Sequence, residues 1–208
     1  MHDMAAFPCE GFGCSRGGTF CLTRIENRVS VEEKWLCRDH VNGVLDDFLR
    51  RRSSSDFVAP ATPRGAEGFV PADLHLTLYD QGLFEQGTCC WVYLAEVAGL
   101  RRLAVPTGFF EASNLQWELK RQPFRRPPTH RVVSGLIGAT GGRLECAVVD
   151  EYQESEKLYG AKLHVAYGPR SLAMDVRPSD AFAVAVACRA PIFVSNGVLE
   201  KAGRGPRP

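Results

Sequence analysis

A cluster of polar side chains separates two apolar stretches late in the chain, at Asp175, Arg177, Ser179 and Asp180. The residues before the cluster alternate in polarity as a half-buried strand does, and residues 181–187 are apolar on all sides, as in a packed helix. Carboxylates and a guanidinium at such a corner can hold a divalent cation or a phosphate. The alternative is structural: Arg177 pairs with one carboxylate, and Ser179 and Asp180 cap the helix.

A second set of side chains with chemistry to offer lies near the N-terminus, at Cys9, Cys14, Cys37 and His40. The first two thiols flank a glycine-containing turn, at a spacing used by zinc ligands, and histidine is an accepted ligand at a tetrahedral site. A segment this short has almost no core of its own, so that a metal would supply the missing folding free energy. We predict a structural zinc ion with four protein ligands. The alternative is four unrelated polar and buried positions.

The segment around these ligands has the layout of a zinc ribbon. Strands predicted over residues 19–25 and 29–36 form a hairpin that runs into the second ligand pair. The layout resembles small zinc-binding modules with the pattern Cys…Cys…hairpin…Leu-Cys-x-x-Cys, with His40 in place of the last cysteine. Apolar residues at helical spacing over 41–52 predict a helix, which either docks on the ribbon or binds a partner. Cys21 falls inside the first strand and is expected to pack rather than coordinate.

Composition and charge limit the classes of protein. The 208 residues are 45% apolar with a net charge of +1, so any case for nucleic acid must come from local patches. No apolar run approaches the roughly 20 residues of a membrane span, and the N-terminus has no signal-peptide pattern. We therefore expect a cytoplasmic protein that does not bind membranes, whose eight cysteines are reduced and available for metal.

The chain is predicted to contain two units. Residues 1–52 form the zinc-ribbon-like module with its trailing helix, and residues 53–72, rich in Ser, Pro and Gly, form a linker. Residues 73–203 form the larger domain, and residues 204–208 are a basic tail that is expected to be disordered. Strands dominate the larger domain, with few alternating strand–helix units. This pattern predicts an α+β fold around a largely antiparallel or mixed sheet.

The polar corner belongs to the motif Asp175-Val-Arg-Pro-Ser-Asp-Ala181, followed by an apolar helix and Ala190-Pro-Ile-Phe-Val194. This arrangement resembles the signature of the bifunctional nuclease domain. Glu111-Ala112 and Arg126-Pro-Pro-Thr-His130 continue the resemblance, which covers residues 73–203. The resemblance implies hydrolysis of phosphodiester bonds in DNA and RNA, a reaction that usually needs Mg²⁺ or Mn²⁺ held by carboxylates. The candidate catalytic residues are Asp175, Arg177, Asp180, Glu111 and His130.

These residue types match the chemistry. Asp175, Asp180 and Glu111 offer hard oxygen ligands for a divalent ion, and Arg177 can bind a phosphate through two hydrogen bonds. His130 could act as a general base or acid near neutral pH, or it could be a satisfied structural residue.

One position departs from the family pattern, because Arg131 follows Thr-His where the family usually has Asp. If that Asp helps to hold a metal, cleavage by this chain is weakened or lost. The same arginine extends a basic stretch that could contact phosphates or could be an ordinary solvated face. The nucleic-acid-binding candidates in it are Arg121, Arg125, Arg126 and Arg131.

Two functional hypotheses follow. The first is a nuclease acting on DNA and RNA, with a zinc ribbon as an accessory module. The second is a non-catalytic regulatory protein, in which the ribbon binds a protein partner and the larger domain binds nucleic acid or a phosphorylated ligand. Both leave open whether the chain forms homo-oligomers.

Overall fold

The computed structural model describes residues 7–26, 29–50, 68–80, 89–97 and 101–204. Nine strands in these ranges belong to a single sheet. The strands are β1 (Phe20–Glu26), β2 (Val29–Leu36), β3 (Phe69–Asp80), β4 (Cys89–Glu96), β5 (Arg102–Gly108), β6 (Arg143–Gln153), β7 (Leu158–Tyr167), β8 (Arg170–Val176) and β9 (Ile192–Ser195). The helices are α1 (Arg38–Arg50), α2 (Phe109–Leu119), α3 (Thr129–Ala139), α4 (Pro178–Cys188) and α5 (Asn196–Ala202).

The sheet is mixed but mostly antiparallel. Its main path runs β2-β1-β3-β9-β6-β7-β8, and β4 pairs with β3 on one side and with β5 on the other. Only the pairing of β6 with β9 is parallel among the described strands. The predicted α+β fold with a mixed sheet is therefore confirmed.

The main core lies between one face of this sheet and helices α2 to α5. Strand residues of alternating position and the inner faces of the helices form one continuous apolar cluster. Helix α4 contributes most completely, because Ala181 through Val186 are all buried. The prediction that this helix is packed on most sides is correct, and its N-terminal end is consequently held in a fixed position.

The N-terminal hairpin is part of the same sheet. Strand β1 pairs antiparallel with β3, with Phe20 opposite Asp80 and Arg24 opposite Leu76. Helix α1 packs against the sheet as well, since the Phe48 ring lies 5.7 Å from the Tyr93 ring of β4. Of the two predicted alternatives, docking within this protein and binding of a partner, the structure shows the helix docked.

Two predicted boundaries differ from the structure. Strand β3 begins at Phe69, so residues 69–72 belong to the sheet rather than to the linker, while residues 53–67 lie outside the described residues. Arg204, predicted as the first tail residue, exchanges two backbone hydrogen bonds with Arg102; residues 205–208 lie outside the described part. Both differences arise from backbone pairing with strands distant in the sequence, since residues 69–72 pair with β9 and Arg204 pairs with the first residue of β5. None of the helices in the described ranges is long and apolar enough to cross a membrane.

Candidate functional site

The four predicted metal ligands converge. Their ligand atoms all lie within 4.8 Å of one another. The Nδ1 atom of His40 is 3.3 Å from the Cys9 sulfur and 3.4 Å from the Cys37 sulfur, and the sulfurs of Cys14 and Cys37 are 3.9 Å apart. Among the described residues, no other group of three or more His, Cys, Asp or Glu side chains comes together in this way.

Backbone hydrogen bonds in this cluster favour thiolates, although burial outweighs them at Cys9 and raises the pKa of that thiol. The amide N–H groups of Gly11 and Cys37 donate hydrogen bonds to the Cys9 sulfur. A hydrogen bond from the Arg16 backbone is the main factor that lowers the pKa of Cys14, to about 6. Gly11 is required by space, because a Cβ atom there would lie 2.3 Å from His40 Nδ1. Soft thiolates and one imidazole in such an arrangement can bind a metal ion.

At the polar corner, Arg177 joins two carboxylates from different elements. Its Nε and a terminal nitrogen donate to the two oxygens of Asp180, at 2.8 and 3.2 Å. The other terminal nitrogen lies 2.8 Å from Glu111 Oε1. The Arg177 side chain nevertheless remains 66% exposed. Because three of its five N–H groups are engaged, two remain to bind an anion from solvent.

Local backbone features hold the Arg177 triad, which consists of Arg177, Glu111 and Asp180, in place. Pro178 is the first residue of α4, which forces Arg177 into an extended conformation at the cap position. Ser179, predicted as the helix cap, is instead buried inside the first turn, and no side chain caps α4. Gly108, which precedes α2, lets the Glu111 carboxylate fold back over it, since a Cβ atom there would meet Glu111 Oε2 at 2.4 Å.

Asp175 does not join the triad. It pairs across the sheet with Lys162 of β7, at 3.7 Å, and its side chain is 89% exposed. Its neighbour Val176 packs against the core, and alternate strand residues face opposite sides. Asp175 therefore lies on the face of the sheet away from α4, together with Lys162 and its other partner, Asp150.

His130 is brought to a different partner, the buried Glu118, which the sequence analysis did not single out. The two side chains are 6% and 3% exposed, and His130 Nε2 lies 3.1 Å from Glu118 Oε2. Arg131 Nε donates to the same oxygen at 2.9 Å, and a terminal nitrogen of Arg131 binds Oε1. Both oxygens of Glu118 are thus occupied by side chains from the start of α3.

Glu111 and Glu118 occupy the same side of α2. They are seven residues apart, or about two turns and roughly 10 Å along the axis. The spacing could have identified Glu118, although only the fold shows what it meets. Helix α2 therefore supplies one carboxylate, Glu111, to the Arg177 triad and another, Glu118, to the cluster with His130 and Arg131.

The basic stretch after α2 is divided. Lys120 forms an ion pair with Glu33 of β2 at 2.8 Å, and Arg131 is bound to Glu118. Arg121, Arg125 and Arg126 are exposed and form no ion pair with another described residue. Three positive charges therefore remain uncompensated on this surface.

Comparison with known proteins agrees with the predicted resemblance. The model of the bifunctional nuclease domain family matches residues 92–206, more than half of the chain, and the chain belongs to this family. The match begins within β4, later than the residue 73 predicted from the motifs. At the level of the family, the match indicates a nuclease-like domain.

Two curated relatives are uncharacterized proteins of Mycobacterium tuberculosis, from strains CDC 1551 and H37Rv. Each is 32% identical to this chain over 110 residues, covering 53% of this chain and 64% of the relative. The chain thus spans less than two thirds of their length.

Proposed function

We propose that this protein hydrolyses phosphodiester bonds of DNA and RNA at the Arg177 triad. The observation that carries the proposal is an exposed guanidinium held between two carboxylates, Glu111 and Asp180, in a chain of the bifunctional nuclease family. Arg177 would bind the phosphate through its two remaining donors. The carboxylates fix its orientation, and either could accept a proton from an attacking water molecule.

The proposal includes Mg²⁺ or Mn²⁺, which would supply charge neutralisation at the phosphate. Glu111 and Asp180 have the oxygen donors that these ions prefer. Both carboxylates are bound to Arg177, and Asp175 faces the other side of the sheet. The corner therefore offers a metal ion two carboxylates rather than the three predicted. Asp175 and His130 keep catalytic roles only as predictions from the resemblance.

The decisive variant is Asp180→Asn, which preserves shape but removes the charge that orients Arg177. This variant should not cleave single-stranded DNA or RNA in any of three assays, which contain Mg²⁺, Mn²⁺ or a chelator. Because the Asp180 side chain is 42% exposed, the melting temperature should change little. Glu32→Gln, which alters a carboxylate paired with Lys34 on β2, is the matched control and should cleave normally. Cleavage by Asp180→Asn at the wild-type rate would contradict the proposal.

A second candidate function is non-catalytic binding of nucleic acid or of a protein partner. Arg131 favours this alternative. The family usually has an aspartate at this position, after Thr-His, whereas Arg131 here binds both oxygens of Glu118. Under this alternative, the wild-type protein binds nucleic acid but cleaves neither DNA nor RNA under any metal condition. The Cys/His module would then be the surface for a protein partner.

We also infer that the metal bound at the Cys9 cluster is a structural zinc ion in a zinc-ribbon module. Tetrahedral zinc with three sulfur ligands and one nitrogen ligand places the ligand atoms about 3.6–3.8 Å apart. Three of the six separations between ligand atoms are 3.3–3.9 Å, close to this geometry, and all six are within 4.8 Å. Four protein ligands leave no position for substrate, so the ion would stabilise the module rather than catalyse.

Metal analysis of the purified protein tests this inference, with about one zinc per chain expected. Gly11→Ala should lower the zinc content strongly, because its Cβ atom would displace the His40 ring. Gly43→Ala, on α1 where a Cβ atom meets only open space, is the control and should retain zinc. Equal zinc content in both variants would contradict the proposed ligand geometry.

A further inference from the structure

The end of α2 and the loop that follows carry an exposed aromatic stack. The Trp117 and Phe124 rings are 5.9 Å apart between centroids and inclined by 26°, which is a stacked arrangement. The Trp117 side chain remains 46% exposed, although large apolar side chains are normally buried. The packing of the core does not explain an indole in this position.

The stack rests on a rigid support. The Phe124 ring lies 5.7 Å from the His130 ring, at an angle of 75°. His130 is itself fixed by its hydrogen bond to the buried Glu118. An aromatic surface that is already ordered loses little conformational entropy when a ligand stacks on it.

Within residues 112–131, which carry the stack, the solvent-accessible charges are of one sign, and of these Lys120 is paired with Glu33 of β2. Glu118 is the only acidic residue between positions 112 and 131, and it is buried and bound to Arg131. Arg125 and Arg126 follow Phe124 directly, and Arg121 lies just beyond the end of α2. These three exposed arginines form no ion pair with another described residue, so the surface favours a polyanion over an apolar protein partner.

An exposed indole stacked on a half-buried phenyl ring, beside arginines without an ion pair to a described residue, provides the two components of a binding site for single-stranded nucleic acid. Bases stack on the rings, while the cations contact the phosphates. In a duplex the base faces are already stacked on one another and are unavailable. We propose that Trp117 and Phe124 form a stacking platform for an unpaired base, with Arg121, Arg125 and Arg126 binding the adjacent phosphates. The inference rests on the proposed nuclease function and specifies its substrate as single-stranded.

Binding of a dT12 oligonucleotide by the full chain, followed by fluorescence anisotropy without divalent ions, tests the platform. Trp117→Ala should weaken binding roughly 5- to 150-fold, the range expected for the loss of stacking with one base. Trp117→Phe should stay within about threefold of wild type, because it keeps an aromatic face. Trp91→Phe, on β4, is the control and should leave binding unchanged. Melting temperatures verify that each variant is folded.

Two further measurements separate stacking from charge. An abasic 12-mer should bind wild type and Trp117→Ala equally, since it offers phosphates without bases. Arg125→Ala with Arg126→Ala should reduce the slope of log K against log salt by roughly 0.7 for each lost phosphate contact, whereas Trp117→Ala should leave the slope unchanged.

Several results would overturn the platform. The first is that wild type and Trp117→Ala bind dT12 equally well. The second is that wild type binds dT12 and a 12-base-pair duplex equally well, and the third is that it does not bind dT12. Self-association that Trp117→Ala abolishes, measured by light scattering in the absence of dT12 binding, would assign the surface to a protein contact. The nuclease proposal is tested separately, because it fails if wild type does not cleave or if Asp180→Asn cleaves normally, whatever Trp117→Ala binds.

Discussion

Replacement of Arg131 by alanine should destabilise the protein measurably, because Glu118 is the one acidic residue that is buried among those described. Removing one partner of a buried ion pair typically costs about 3–5 kcal/mol, since the other charge is left uncompensated. Two features reduce this cost here. The Arg131 side chain is 44% exposed, so water screens part of the interaction, and Glu118 keeps its contact with His130.

The free energy of unfolding should therefore fall by about 1.5–3 kcal/mol, measured by urea denaturation of the metal-loaded protein. For a protein of this size, that change lowers the melting temperature by roughly 3–12 °C. Arg126→Ala, in the same loop but without an ion pair to a described residue, is the control and should stay within about 0.5 kcal/mol of wild type.

A double-mutant cycle with Glu118→Gln identifies the source of the effect. If Arg131 stabilises the fold through Glu118, the two substitutions should be non-additive by at least about 1 kcal/mol. Additive losses of stability, or an Arg131→Ala variant as stable as Arg126→Ala, would refute the reasoning. Such a result would mean that the buried Glu118 is tolerated without its ion pair to Arg131.

Two more predictions concern the N-terminal module. Folding lowers the pKa of Cys14 from its ordinary value of 9.0 to about 6. The stability that this thiolate contributes is therefore complete above pH 9.0 and is lost as the pH falls through 6. Protons also compete with the metal ion for the sulfur. Metal release, followed with a chromophoric chelator, should consequently increase as the pH falls, and release that does not change with pH would contradict this. Limited proteolysis should cut within residues 53–67 of the predicted linker. Because β1 pairs with β3, the two fragments should co-elute in gel filtration and separate only in denaturant. Fragments that separate without denaturant would show two independent units.

Features with a local signature could be predicted from the sequence. The sequence predicts helix α3 over residues 129–139, between Pro128 and Gly141, and β7 over residues 158–167, before Gly168, and both have these bounds. The convergence of the four metal ligands was also predictable, because ligand type and spacing carry the information.

The candidate site was predicted only in part, because its contacts join distant elements. Nothing local shows that the start of α3 meets Glu118 at the end of α2, so the partner of His130 was missed. The placement of Asp175 on the face away from α4 follows from strand alternation once Val176 is known to face the core. The cap was misplaced by two residues because Pro178 starts the helix, and the residue before a proline is held extended.

The pairing of β1 with β3 also bears on aggregation. A strand that ends a sheet presents unpaired N–H and C=O groups, which recruit other chains when the strand is long and apolar. Without the hairpin, the edge of β3 between Leu76 and Asp80 would be open, in the alternating apolar sequence Leu74-His-Leu-Thr-Leu-Tyr79. With the hairpin in place the sheet ends instead on β2, whose Glu32, Glu33 and Lys34 discourage further strand addition. A metal bound at the Cys9 cluster, which lies at the base of that hairpin, would thereby help to keep this edge of β3 covered.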